Sequence, residues 1–162
     1  MSVLSIIGLT IGVVMPTAVV ATRDHTVRTQ LLEEASTTLE RLAIELRAIP
    51  LDTAALPTIA PKISAVTSTS LNWNTNWALS LSGTNLMLSA SGGTSTLLQP
   101  DVSAFSIACY NESSTGLASS LSGSACYPIR RIEVSITLTR TGVSQSLRSR
   151  FFVRSCVSGA GS

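Results

Sequence analysis

The chain is poor in the side chains that carry out chemistry. Charged residues make up 12% of its 162 residues and aromatics 4%, and there is one histidine, His25, and one lysine, Lys62. A single histidine, the lack of a glycine-rich phosphate loop and the lack of clustered carboxylates argue against a hydrolase, a kinase or a zinc enzyme. Glu33 and Glu34 are neighbours, so they point to different parts of a helix surface and are no acid/base pair. His25 reads as a solvated residue at the point where charge first appears. The three cysteines have no metal spacing. We therefore expect no enzyme, with no catalytic, cofactor-binding or metal-ligating residues. Net charge is only +2, and the arginines are scattered among acids rather than gathered on one face, so no nucleic-acid partner is expected.

Charge is missing altogether from Val3 to Ala21, which reads VLSIIGLTIGVVMPTAVVA. That is close to the ~20 apolar residues a bilayer-spanning helix needs. Charge begins at Arg23 and Asp24, and apolar residues then recur at Val27, Leu31, Ala35, Leu39, Leu42, Leu46 and Ile49. Steps of four and three trace one face of a helix. The intervening Arg28, Glu33, Glu34, Glu40, Arg41, Glu45 and Arg47 leave the rest of the surface polar, until Pro50 ends the pattern. One helix of about 49 residues, rising about 1.5 Å each, is roughly 70 Å long, more than a small domain can bury. Its apolar half must find lipid or the matching halves of other copies.

Residues 50–62, with Pro50, Pro57 and Pro61, read as a linker, and residues 63–162 as a β-rich head. Leu71, Trp73, Trp77, Leu79 and Leu81 keep a period of two; Ser82 to Asn85 is a turn signal, and Leu86, Leu88 and Ala90 answer as a returning strand. A break at Pro100 and Asp101 precedes Val102 to Cys109. Tyr110 to Tyr127 is rich in serine and glycine and reads as a surface loop. Ile132, Val134, Ile136 and Leu138 form the cleanest alternation, turned at Thr141 and Gly142 into a last strand from Val143. The expected class is α+β: a long N-terminal helix whose amphipathic half, through Leu31, Leu39, Leu42 and Leu46, packs on an antiparallel sheet. Trp73 and Trp77 are expected in the core or on a sheet face rather than on a carbohydrate, and Arg130 and Arg131 at solvated edge positions. Asn111, Glu112 and Ser113 make a glycosylation sequon.

This organisation resembles the type IV pilins and the pseudopilins of type II secretion. The run TLERLAIELRAIP, the hairpin with Trp77, LLQPDVSAFSIACYN, IRRIEVSITLTRTG and SLRSRFFVRS look like the J-type minor pseudopilin and its minor-pilin relatives. The resemblance implies that residues 1–22 wait in the inner membrane and then form a filament core, with 23–49 as the amphipathic half. Met1 looks like the mature first residue left by a prepilin peptidase. The assembly helix would use Val3, Leu4, Ser5, Ile6, Ile7, Leu9, Ile11, Val13, Val14 and Pro16. Partners would be further copies of the chain, other pilins and an inner-membrane assembly platform.

Ser5 departs from the family, which usually has glutamate at the fifth mature position. Either the numbering does not begin at the mature residue, or the subunit belongs to the minority lacking that glutamate. Gly8, Gly12 and Pro16 allow the helix either to pack closely or to unwind. An oxidising exterior would permit a Cys109 to Cys126 bridge closing a 16-residue loop, stabilising by about 3 kcal/mol. Cys156 is left over and could pair with either of them or with another subunit. The resulting expectation is a structural subunit of an extracellular or periplasmic filament. The alternatives are a minor pilin or pseudopilin that primes assembly at the tip, and a membrane-anchored monomeric binding module.

Overall fold

The computed structural model describes residues 2–90 and 94–153; along the first part of the helix, side chains are described at Val20 and from Thr22 onward. Helix α1, Ser2–Arg47, ends where Pro50 forbids continuation, with the Ala48 amide still donating to the Ile44 carbonyl at 3.1 Å. Residues 50–62 are not a loose connection. Leu51 bridges to Pro61, the Asp52 amide donates to Ala60 and the Lys62 amide to Pro50. Asp52 also caps the short 3-10 turn Thr53–Ala55, its carboxylate accepting from the Ala54 amide at 3.1 Å.

The class is α+β, with the helix packed mainly on one antiparallel sheet of a head that holds two. The first contains β1 (Ile63–Val66), β2 (Ser70–Trp73), β3 (Trp77–Ser82), β4 (Asn85–Ser89), β5 (Ser95–Gln99) and β7 (Leu121–Ser122), in the order β5-β4-β3-β2-β1-β7. The second holds β6 (Val102–Tyr110), β8 (Arg131–Arg140) and β9 (Val143–Phe152), with β8 in the middle. The division falls at Asp101, whose φ of 60° lies in the left-handed region and sends the chain out of β5 into the second sheet.

A second left-handed pair, Asn74 and Thr75, interrupts the alternation that the sequence carries from Leu71 to Leu81. It turns β2 into β3 so that Trp73 faces Trp77 across the strands, their rings stacked at 5.9 Å, and Leu71 faces Leu79. The period of two survives the reversal because paired residues share a face. The two expected hairpins are present. Gly83, at φ 60°, takes the first position of the loop between Ser82 and Asn85, while Thr141 and Gly142 both adopt positive φ between Arg140 and Val143, as a two-residue I′ turn requires.

Alternation along β8 divides the second sheet into two chemistries. Ile132, Val134, Ile136 and Leu138 are fully buried, and with Phe105, Ile107, Cys109 and Phe151 they face α1 and the first sheet in one continuous core. The opposite face carries Arg131, Glu133, Ser135, Thr137 and Thr139.

Candidate functional site

The most heavily built feature is the seam between α1 and the head. Helical spacing delivers Leu31, Ala35, Leu39, Leu42 and Leu46 to one face; these and Ile49, just past the helix end, are buried, with Val27 half-buried at the upstream end. They lie mainly on β9 and β8, and β5 is reached beside the upstream part of the stripe. Burying a leucine of this kind contributes about 1.5–3 kcal/mol, so the stripe accounts for most of the attachment. The outward side of the helix still shows apolar groups, with Leu32 41% and Ile44 71% exposed.

Beside this stripe stands a polar node that the sequence did not announce. Glu34 receives a two-pronged contact from Arg140, Nη1 to Oε1 and Nη2 to Oε2 at 3.0 Å each, and a third hydrogen bond from Gln99 Nε2 at 3.1 Å. Arg140 Nε donates to Asp101 at 2.8 Å, and the buried Thr38 hydroxyl lies 2.8 Å from Gln99 Oε1. The Arg140 guanidinium holds the Glu34 carboxyl below the usual range; partial burial opposes this and Gln99 assists it. Helix, β5, the Asp101 turn and the β8–β9 hairpin therefore meet at one ion pair. The one hint in the sequence is Glu34 and Thr38 at i and i+4, polar residues flanking the apolar stripe.

A second carboxylate organises the outer face of the three-stranded sheet. Glu133 is almost buried and is held by Arg148 at 2.7 Å and by Arg150 through Nε at 3.1 Å and Nη2 at 2.7 Å. The Tyr110 hydroxyl donates to it at 3.3 Å. Burial raises the Glu133 carboxyl, but the hydrogen bonds from Arg148 and Arg150 outweigh it and the net shift is downward. The guanidinium of Arg150 lies 4.2 Å above the Tyr110 ring, and that of Arg131 lies 4.8 Å from the Phe152 ring. The arginines are thus not all scattered: cross-strand register brings three of them to one face.

The remaining expected residues are distributed as follows. Cys109 and Cys126, the pair expected to bridge, are both buried and carry free thiols here. Burial, then the charge of Cys126, pushes Cys109 up to about 12, and burial raises Cys126, so both keep their protons at neutral pH. Asn111 is half-buried in a turn where its Oδ1 accepts from the Thr115 amide at 2.8 Å. The loop from Tyr110 to Tyr127 contains β7 and the 3-10 turn Gly123–Cys126, which places Cys126 in the core. Arg130 is no solvated edge residue: it donates to the carbonyls of Tyr127, Ile129 and Ile59, fastening the 50–62 segment to the head. Trp73 is buried, Trp77 half-buried, His25 exposed and Glu33 exposed.

Met1 and Cys156 lie outside the described residues, as do the side chains of Val3, Leu4, Ser5, Ile6, Ile7, Leu9, Ile11, Val13, Val14 and Pro16. Among the described residues, no helix is long and apolar enough to cross a membrane, and the side chains from Val3 to Ala21, apart from Val20, are not among those described. No group of three or more His, Cys, Asp or Glu residues within the described part is placed to hold a metal ion.

No protein-family model matches this chain, and no curated protein matches it either. The helix is fixed to a two-sheet head by an apolar stripe and a charged node.

Proposed function

We propose that this chain is a structural subunit of a type IV pilus-like filament, extracellular or periplasmic, that polymerises through the apolar first part of its helix. The observation that carries this reading is the continuity of α1: the half fixed to the head from Val27 to Leu46 runs without a break into the uncharged stretch that begins at Val3. Before assembly that stretch would sit in the inner membrane, served by an assembly platform and a prepilin peptidase. In the filament it would bury itself against other copies and leave the head as the outer coat. Apolar burial and close helix packing would drive the association. In the oxidising compartment such a filament occupies, Cys109 and Cys126 are the cysteines this proposal joins.

Substitution in the apolar stretch tests it. Ile7→Arg and Val13→Asp should abolish filaments on the producing cells, seen by negative-stain electron microscopy, while the head stays folded by circular dichroism. Filaments at wild-type level from either variant contradict the proposal. Intact activity from a chain starting near Arg28 would favour the monomeric binding module instead.

A further inference from the structure

The outer face of the β6–β8–β9 sheet belongs to neither the core nor the helix seam. Register places Tyr110, Arg131 and Phe152 in one row across the three strands, and Ala108, Glu133 and Arg150 in the next. Ser106, Ser135 and Arg148 follow. This end of the face sets three guanidiniums against one carboxylate. Arg148 is well exposed at 62% even while it contacts Glu133. Arg131 has no carboxylate or carbonyl partner among the described residues, and its Nε is buried without an acceptor. That nitrogen is enclosed and out of a ligand's reach, but the rest of the guanidinium also has no acceptor among the described residues and is the part that an anion would meet.

Phe152 and Tyr110 each have a guanidinium lying over the ring, which fixes the cations, while Phe152 stays 52% exposed. Farther along the same face the chemistry changes to hydroxyls, with Thr137 paired to Ser146 at 3.0 Å and Thr139 to Ser144 at 2.8 Å. Each hydroxyl has two acceptor positions and one donor, so such pairs retain spare capacity toward solvent.

We propose that this sheet face binds an acidic polysaccharide, its carboxylates held by Arg131 and Arg148 and its hydroxyls by the neighbouring serine and threonine rows. Charge complementarity selects an anion, and the hydroxyl rows select one that is itself rich in hydroxyls. Single-stranded nucleic acid fits poorly because it needs successive aromatic platforms along a basic groove, whereas this face offers one exposed ring, Phe152, on a chain whose net charge is only +2. A duplex is poorly served by a chain whose net charge is only +2. An acidic peptide adding as a strand would take the outer edge of β6 or β9 and leave this face, centred on β8, uncovered. Binding here does not depend on polymerisation, so monomer tests it separately from the filament reading.

The test uses the full-length chain in detergent micelles over immobilised polygalacturonate, with neutral dextran and duplex DNA as comparison surfaces. The chain should bind polygalacturonate, lose affinity as salt rises and ignore dextran. Arg131→Gln should weaken binding about tenfold. Arg131 gives up no hydrogen bond in that change; should the variant fail to fold by circular dichroism, Arg148→Gln replaces it, since Glu133 keeps Arg150. No binding by the wild type, equal binding by the variant, equal retention on dextran, or duplex DNA held as tightly as polygalacturonate would each overturn the proposal.

Discussion

Two stretches of the same seam hold the helix to the head by different physics. From Leu39 to Ile49 the contact is wholly apolar, with Leu42 and Leu46 fully buried over the second sheet. One turn upstream, at Glu34 and Thr38, the contact is a charged and hydrogen-bonded node. Apolar packing is strong and undirected; an ion pair about one-third exposed on both sides is weak but fixed in direction. The difference teaches a division of labour: the leucines supply most of the stability, and the node fixes where along the head the helix sits.

The largest effect should come from the apolar side. Leu42→Ala removes a fully buried side chain and should cost about 3 kcal/mol, read by urea unfolding followed through Trp73 and Trp77 fluorescence. A loss below about 1 kcal/mol, the size of a surface contribution, would mean that the stripe does not dominate the seam.

A smaller and pH-dependent effect should come from the node. Glu34→Gln should cost about 1 kcal/mol near neutral pH, discounted because Glu34 and Arg140 are both partly exposed. The folded-state carboxyl is depressed relative to the unfolded one, so its contribution is complete above the ordinary value near ~4.3 and is lost as pH falls through the lowered value. The gap between wild type and variant should therefore close in acid. A gap that persists unchanged at pH 3 would assign the effect to something other than this charge.

What could be read in the sequence followed local periodicity. Steps of three and four placed Leu31 to Ile49 on one face, and alternation from Ile132 to Leu138 separated the two faces of β8, because both patterns repeat within a few residues. The hairpins at Gly83 and at Thr141 with Gly142 were legible as turn chemistry. The division into two sheets was not, since it depends on the backbone of Asp101, and neither was the turn at Asn74 and Thr75, which preserves the period it interrupts. Strand β1 escaped because Ile63 to Val66 is too short to show a pattern. The Glu34 node joins residues 106 apart in sequence, and while alternation puts Arg148 and Arg150 on one face of the last strand, only strand register brings Glu133 and Arg131 to them. Such features belong to the fold rather than to any local stretch.

The most direct measurement of the central claim is electron microscopy of filaments sheared from the native cells, with mass spectrometry of their peptides. The account predicts that peptides of this chain dominate the shaft. A trace amount in otherwise normal filaments would move the chain to a priming role at the tip. A chain that stays in the membrane and is absent from every filament would contradict the account outright.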